Sequence, residues 1–220
     1  MRALGFLGGT FNPVHIGHLR GALDCVDQLG LDQVALLPAA QPPLKDLPVI
    51  SAQHRSAMLE LAVQRTEDLT VDCRELDRPG LSFTIDTVTE LRHQWQGDTS
   101  LTFIMGLDSL VNLHHWRDWQ GLFELCNIAV LARPGAHAAL DGAVRRSIDQ
   151  RRCPASDVKH CAAGAVTFVN QTPLDVSSTA IRGALKGGKN VQFLLPEAVI
   201  EYIVAHELYD CLNTDRRGSD

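Results

Sequence analysis

Basic residues are scarce in this chain relative to acidic ones, 20 Lys and Arg against 26 Asp and Glu, for a net charge of −6. That balance excludes a general nucleic-acid binder, whose surface carries a basic patch or stripe. It leaves room for nucleotide substrates, which need only a local basic pocket. No Cys-x-x-Cys pair occurs; Cys25, Cys73, Cys126, Cys153, Cys161 and Cys211 are scattered, so no zinc or redox pattern is spelled out. Cys153, His160 and Cys161 form the nearest thing to a cluster, and their spacing fits no standard zinc site. No apolar run reaches the roughly 18–20 residues that span a bilayer. No leader-like stretch precedes the first apolar segment at Ala3. The expectation is a cytoplasmic protein with reduced, mostly buried cysteines, no metal cluster, and neither nucleic acid nor membrane as partner. The Walker pattern, the Gly-x-Gly-x-x-Gly fingerprint, internal repeats and low-complexity segments are also missing.

What is present centres on Gly8-Gly9-Thr10-Phe11-Asn12-Pro13-Val14-His15-Ile16-Gly17-His18. It follows the apolar run Ala3 to Leu7, which reads as a buried strand, and precedes Leu19 to Leu29, which reads as a helix. Strand, glycine turn and helix N-terminus form a phosphate site, because free N–H groups and the positive end of the helix dipole point into the turn. His15 and His18 are three apart. If the helix begins near His15, both imidazoles lie on one face over that site, where they donate to phosphate oxygens. A pair at this spacing also fits one histidine capping the helix.

The 220 residues, 45% of them hydrophobic, suit one sizeable domain. Strand-like and helix-like segments alternate. Val34 to Leu37 reads as a strand ended by Pro38, and a proline-rich loop, Ala39 to Val49, contains Lys45. Ser51 caps a helix to about Gln64 with Ala57, Met58, Leu61 and Ala62 as its apolar side. Leu69 to Cys73 reads as a strand. Ser82 or Thr84 caps a helix with Ile85, Val88, Leu91 and Trp95 on one face. Leu101 to Met105, Ile128 to Ala132 and Ala165 to Val169 read as strands, and Ala138 to about Arg151 as a helix. Ser178 to Lys186 and Pro196 to Leu208 close the chain, with Pro196 at the first helical position. The pattern implies an α/β fold: a Rossmann-like, doubly wound parallel sheet with helices on both faces and a small helical C-terminal part, about 177–209. The domain runs over 1–212 and the polar tail 213–220 is expected to be disordered.

Ligands of such sheets bind beyond the carboxyl ends of the strands, and polar residues follow each strand here. Gly106 and Asp108 follow Leu101 to Met105; Asp108 accepts from a ribose or an adenine amino group, or caps the next helix. Trp116 and Trp119 stack on a substrate ring or pack as core. Ser177, Ser178 and Thr179 open a helix with Arg182 one turn in, a second anion site or an ordinary capped helix. Two helix N-termini, two histidines, Lys45, Arg133 and Arg182 suit a triphosphate plus a phosphate acceptor.

Gly8 to His18, Arg78-Pro79-Gly80-Leu81-Ser82-Phe83-Thr84-Ile85-Asp86-Thr87, Gly106-Leu107-Asp108-Ser109-Leu110, Trp116, Arg133-Pro134-Gly135, Ser177 to Arg182 and Leu194-Leu195-Pro196 together resemble the bacterial nicotinate-nucleotide adenylyltransferases of the His-x-Gly-His nucleotidyltransferase superfamily. Phe83 stands where that family usually has Tyr, and Asn12 where Asp is common. The resemblance implies adenylyl transfer from ATP to nicotinate mononucleotide, giving deamido-NAD and pyrophosphate by in-line attack. It implies His15, His18 and Arg182 as catalytic groups. ATP would be held by Gly8, Gly9, Thr10, Phe11, His18, Gly106, Asp108, Arg133, Ser177, Ser178 and Arg182. The mononucleotide would be held by Lys45, Ser82, Phe83, Thr84 and Trp116, with Trp116 stacked on the pyridine. Mg²⁺ would ride on ATP oxygens. A nicotinamide mononucleotide or other phosphate acceptor, or a non-catalytic nucleotide sensor, stays open as an alternative.

Overall fold

The apolar run that opens the chain becomes the central strand of a parallel sheet, as a run buried on both faces must. The computed structural model describes residues 1–40, 50–78, 80–95, 97–132 and 139–211. In chain order the elements are β1 (Ala3–Gly9), α1 (Ile16–Leu29), β2 (Gln33–Pro38), α2 (Ala52–Val63), β3 (Leu69–Val71), α3 (Thr84–Gln94), β4 (Ser100–Gly106), α4 (Leu107–Val111), α5 (Leu122–Leu125), β5 (Asn127–Ala132), α6 (Gly142–Arg151), β6 (Val166–Asn170), α7 (Ser178–Lys186) and α8 (Glu197–Ala205). Short 3-10 turns occur at Leu113–His115, Ala155–His160 and Leu208–Asp210.

All strand pairs are parallel and the order is β3-β2-β1-β4-β5-β6. The direction of winding reverses between β1 and β4. Their register pairs Phe6 with Phe103 and Leu7 with Ile104, so Gly8-Gly9 and Gly106 leave the sheet side by side. The strand alternation sorts side chains to two cores. Ala3 and Leu7 join Ile104, Ala129 and Val169 beneath α1, α2, α7 and α8. Leu4 and Phe6 join Phe103, Met105 and Val130 beneath Ile85, Val88 and Leu91 of α3. This is the expected doubly wound, Rossmann-like sheet with helices on both faces.

Several boundaries differ from expectation, each for a local reason. Helix α1 begins at Ile16 rather than Leu19, because His15 takes the cap position in an extended conformation. β3 stops at Val71, where the Asp72 carboxylate accepts both the Arg74 N–H and its guanidinium and turns the chain. Neither Ser82 nor Thr84 caps α3; Phe83 holds that position with no side-chain bond. Asp141 accepts from the N–H groups of Ala143 and Val144, which starts α6 at Gly142 instead of Ala138. Pro196 is the cap of α8, not its first residue. Helix α2 buries Met58 as expected, with Leu61 and Ala62 half-buried against the core, and extends the buried stripe to Arg55, Leu59 and Val63. Cys25 and Cys126 are buried and the other four cysteines only half-buried, all as free thiols. Residues 213–220, read as a tail, lie outside the described residues.

Candidate active site

The turn between β1 and α1 is shaped by what its glycines leave out. A Cβ on Gly9 would stand 2.9 Å from the Phe11 ring, which is closer than real contacts allow, so Gly9 is what lets Phe11 fold back beneath the turn. Phe11 is buried with φ +48°, a left-handed conformation that costs a non-glycine residue energy and marks a shaped loop. A Cβ on Gly17 would stand 2.8 Å from Val176 Cγ1. Its absence lets the segment leading into α7 press against the first turn of α1. The N-termini of α1 and α7 therefore meet at the switch point.

His15 and His18 stack, with ring centroids 3.7 Å apart and planes 25° apart. Phe11 meets His18 edge-on at 5.0 Å. The His15 backbone N–H donates to His18 Nδ1 at 3.2 Å, so one histidine does cap the helix, as the spacing allowed. That bond fixes the tautomer: with Nδ1 accepting, the hydrogen of neutral His18 is on Nε2. His15 is 6% exposed, its Nδ1 has no partner, and burial lowers its pKa to about 4. It is a neutral imidazole near pH 7.

Ser178 Oγ donates to the Pro13 carbonyl at 2.9 Å, which ties α7 to the turn. Ser177 caps α7 by accepting from the Ala180 N–H at 3.2 Å, so its hydroxyl oxygen is already engaged. Arg182 donates to the Asn12 carbonyl at 2.8 Å and to Thr179 Oγ1 at 3.3 Å. Gly106 caps α4, and Asp108 Oδ1 folds over it so closely that a Cβ there would stand 2.6 Å away. Asp108 is exposed and is not the cap. Gly8, Gly9, Thr10, Phe11, His15, His18, Ser177, Ser178 and Arg182 thus converge on one turn, with Gly106 and Asp108 on the neighbouring strand end.

The second group of expected residues assembles differently. Ser82 is 9% exposed, and its Oγ accepts from the Ala40 N–H at 3.1 Å, so this hydroxyl holds the loop after β2 rather than facing outward. Ser82 and Thr87 hydrogen-bond buried Glu75, whose carboxyl burial pushes up and those bonds pull down; the Thr87 bond is 2.7 Å. Phe83 lies under the Arg117 guanidinium at 5.0 Å. Thr84 opens α3. Trp116 is half-buried, edge-on to Phe103 at 6.2 Å. Lys45 and Arg133 lie outside the described residues.

Three residues were missed by the sequence reading. Arg55 is 1% exposed and donates to the Thr10 and Ala39 carbonyls, each at 2.7 Å. An arginine at helical spacing from buried Met58 and Leu59 was the available signal. Tyr209 is buried, and its hydroxyl donates to Asn12 Oδ1 at 2.8 Å; burial raises its pKa. Glu75 carried no motif. The Asn12 amide meets Tyr209 with a neutral acceptor in place of a carboxylate. Among the described residues no group of His, Cys, Asp and Glu is arranged to hold a metal ion, and no helix is long and apolar enough to cross a membrane.

Strand order and the glycine turn at the switch point define a Rossmann-like fold with a phosphate-binding turn. A family model described as cytidylyltransferase-like matches residues 6–184. The chain is 45% identical over 213 residues to a protein of Pseudomonas putida (strain GB-1) named probable nicotinate-nucleotide adenylyltransferase, covering 97% of each. It is also 45% identical over 214 residues to a protein of the same name from Pseudomonas syringae pv. tomato (strain ATCC BAA-871 / DC3000), covering 97% of this chain and 96% of that one. The chain belongs to the nicotinate-nucleotide adenylyltransferases. In fold it is similar to the Plasmodium falciparum nicotinic acid mononucleotide adenylyltransferase solved with NaAD, at TM-score 0.71 and 16% identity over 96% of this chain and 99% of that one.

Proposed function

We propose that this chain transfers the adenylyl group of ATP to nicotinate mononucleotide, giving deamido-NAD and pyrophosphate in NAD biosynthesis. The observation that carries the reading is the meeting of two helix N-termini with the stacked histidines at the end of β1. Backbone N–H groups at two adjoining helix N-termini suit an anion larger than one phosphate. An oxygen of the acceptor phosphate attacks the α-phosphorus in line. One P–O bond forms, the bond to the bridging oxygen breaks, and pyrophosphate leaves with the electron pair. No covalent enzyme intermediate is needed, so catalysis rests on positioning and on stabilising charge.

His18 serves this step best. Its Nε2–H is held as a donor by the bond at Nδ1, and it meets oxygens whose charge grows in the transition state. His15, neutral, supports the His18 ring by stacking. The amides of Gly8, Gly9 and Thr10 and the N-terminus of α7 at Ser177 and Ser178 hold the phosphates, with Arg182 and Arg133 adding charge. Gly106 and Asp108 take the nucleoside. Thr84, Phe83 and Trp116 receive the pyridine, Ser82 shapes that wall from behind, and Lys45 meets the mononucleotide phosphate. Mg²⁺, bound with the nucleotide, would supply neutralisation of phosphate charge; the groups around the turn are N–H and imidazole donors with no carboxylate cage among the described residues, which suits an ion carried in by the nucleotide. Six free thiols suit a reducing compartment, and we read the enzyme as cytoplasmic.

The test is pyrophosphate release with ATP and Mg²⁺, supplying nicotinate mononucleotide or nicotinamide mononucleotide in parallel. Preference for the acid by about tenfold or more in kcat/KM, about 1.4 kcal/mol, supports the reading. Equal or reversed preference transfers the site to the amide, and ATP binding without release with any acceptor makes the chain a sensor.

A further inference from the structure

The two subsites described above are joined by one short piece of backbone. Ala39 and Ala40 follow β2, and among the described residues their hydrogen bonds run to Gly9, to Arg55 and to Ser82. The Ala39 N–H donates to the Gly9 carbonyl at 3.0 Å. The Ala39 carbonyl accepts from Arg55 at 2.7 Å, and the same guanidinium reaches the Thr10 carbonyl at 2.7 Å. The Ala40 N–H donates to Ser82 Oγ at 3.1 Å. Ser82 is the residue next to Phe83 and Thr84 and is in turn bonded to buried Glu75. The phosphate turn and the acceptor segment are therefore linked through Arg55, Ala39-Ala40 and Ser82.

We propose that Arg55 is a positioning residue that sets the spacing between the ATP phosphate turn and the mononucleotide segment. It touches no substrate. Its planar fork spans two loops, donating to the Thr10 carbonyl on one side and to the Ala39 and, at 3.4 Å, Ala40 carbonyls on the other, which a single ammonium or an apolar side chain cannot do. A purely stabilising role fits it poorly. The side chain is 1% exposed, its Nε has no partner, and no carboxylate pairs with it among the described residues. Burying an unpaired guanidinium costs several kcal/mol, and a methionine or leucine beside Met58 and Leu59 would pack at lower cost. In-line transfer between two bound substrates is the process that needs this spacing, because a displacement of about 1 Å costs on the order of 100-fold in rate.

The proposal rests on the assignment of the two subsites, which wild-type turnover with nicotinate mononucleotide tests by itself; the strut is read from ratios of variant to wild type. The experiment takes Arg55→Met, Arg55→Lys, Ser82→Ala and the doubles with Ser82→Ala in the full chain. It measures kcat, both KM values and the thermal midpoint. Arg55→Met should lower kcat by about 100-fold while the KM for ATP, whose contacts remain, stays within about threefold. Arg55→Lys, which keeps one carbonyl bond, should recover part of that loss. Ser82→Ala should cost about tenfold in kcat/KM for the mononucleotide. Because both changes cut one linkage, the doubles should be no worse than the poorer single. Losses that multiply would overturn the proposal, since they would make the two residues independent. So would variants that melt earlier yet keep kcat and both KM values within twofold. If Arg55→Met does not fold, Arg55→Lys and its double with Ser82→Ala decide the same question.

Discussion

The phosphate turn and the acceptor wall are built on opposite plans. The turn is a single run of chain, Gly8 to His18, whose groups are backbone amides, two imidazoles and carbonyls clamped from below by Arg55, Ser178 and Arg182. The acceptor wall proposed above takes Ser82, Phe83 and Thr84 from the start of α3 and Trp116 from beyond β4, and its rings meet Arg117 and Phe103. One region is held by close packing that its glycines permit and by hydrogen bonds to its carbonyls. The other is made of side-chain surfaces resting on a core. A triphosphate is the same in every enzyme that uses it and suits a fixed backbone cradle. An acceptor is distinguished by its ring and carboxylate, which side chains read.

Breaking the turn should cost rate, and breaking the wall should cost acceptor affinity. The largest effect is expected from His18→Ala: kcat falls by about 100- to 1,000-fold with the KM for ATP within about threefold. A kcat within threefold of wild type in steady-state assays would remove His18 from the transition state and leave the turn a binding cradle only.

His15 gives the next effect, on stability. Its pKa is lowered from 6.5 to about 4. The unfolded chain therefore takes up a proton near 6.5 and the folded chain only near 4. The resulting stabilisation is complete above pH 6.5 and lost as pH falls through that window, on the order of 3 kcal/mol in all. Thermal melts between pH 7 and 4.5 should drop less steeply for His15→Gln than for wild type; parallel curves would show a hydrated, ordinary imidazole.

Trp116→Ala should have the smallest effect, raising the KM for the mononucleotide by about tenfold, the weight of one aromatic stacking contact, and leaving that for ATP unchanged. The reverse pattern would move Trp116 to the nucleotide side.

The unequal construction explains what was legible beforehand. The turn was readable as a string because strand, glycines and helix start are consecutive, so local rules apply. The strand–helix alternation gave the doubly wound sheet for the same reason, and the differences lie mainly at element ends, set by an Asp turn or cap at Asp72 and Asp141 and by the caps His15, Phe83 and Pro196. Ser82 was placed in the acceptor site by the family resemblance, and the structure turns its hydroxyl to Ala40. Arg55 left only the faint signal of its spacing from Met58 and Leu59 and Tyr209 left none, since a charged residue on a helix and a tyrosine near the C-terminus read as surface until something covers them.

The amino-acid sequence by itself determined the elements, their order and the phosphate-binding turn, because period, glycine placement and helix capping act over a few residues. Only the tertiary structure decided which groups stand behind that turn. Arg55 lies 45 residues from the Thr10 carbonyl it holds, and Tyr209 lies 197 from Asn12. Contacts at such separation are fixed by how the sheet winds and what it buries, and no local pattern encodes them.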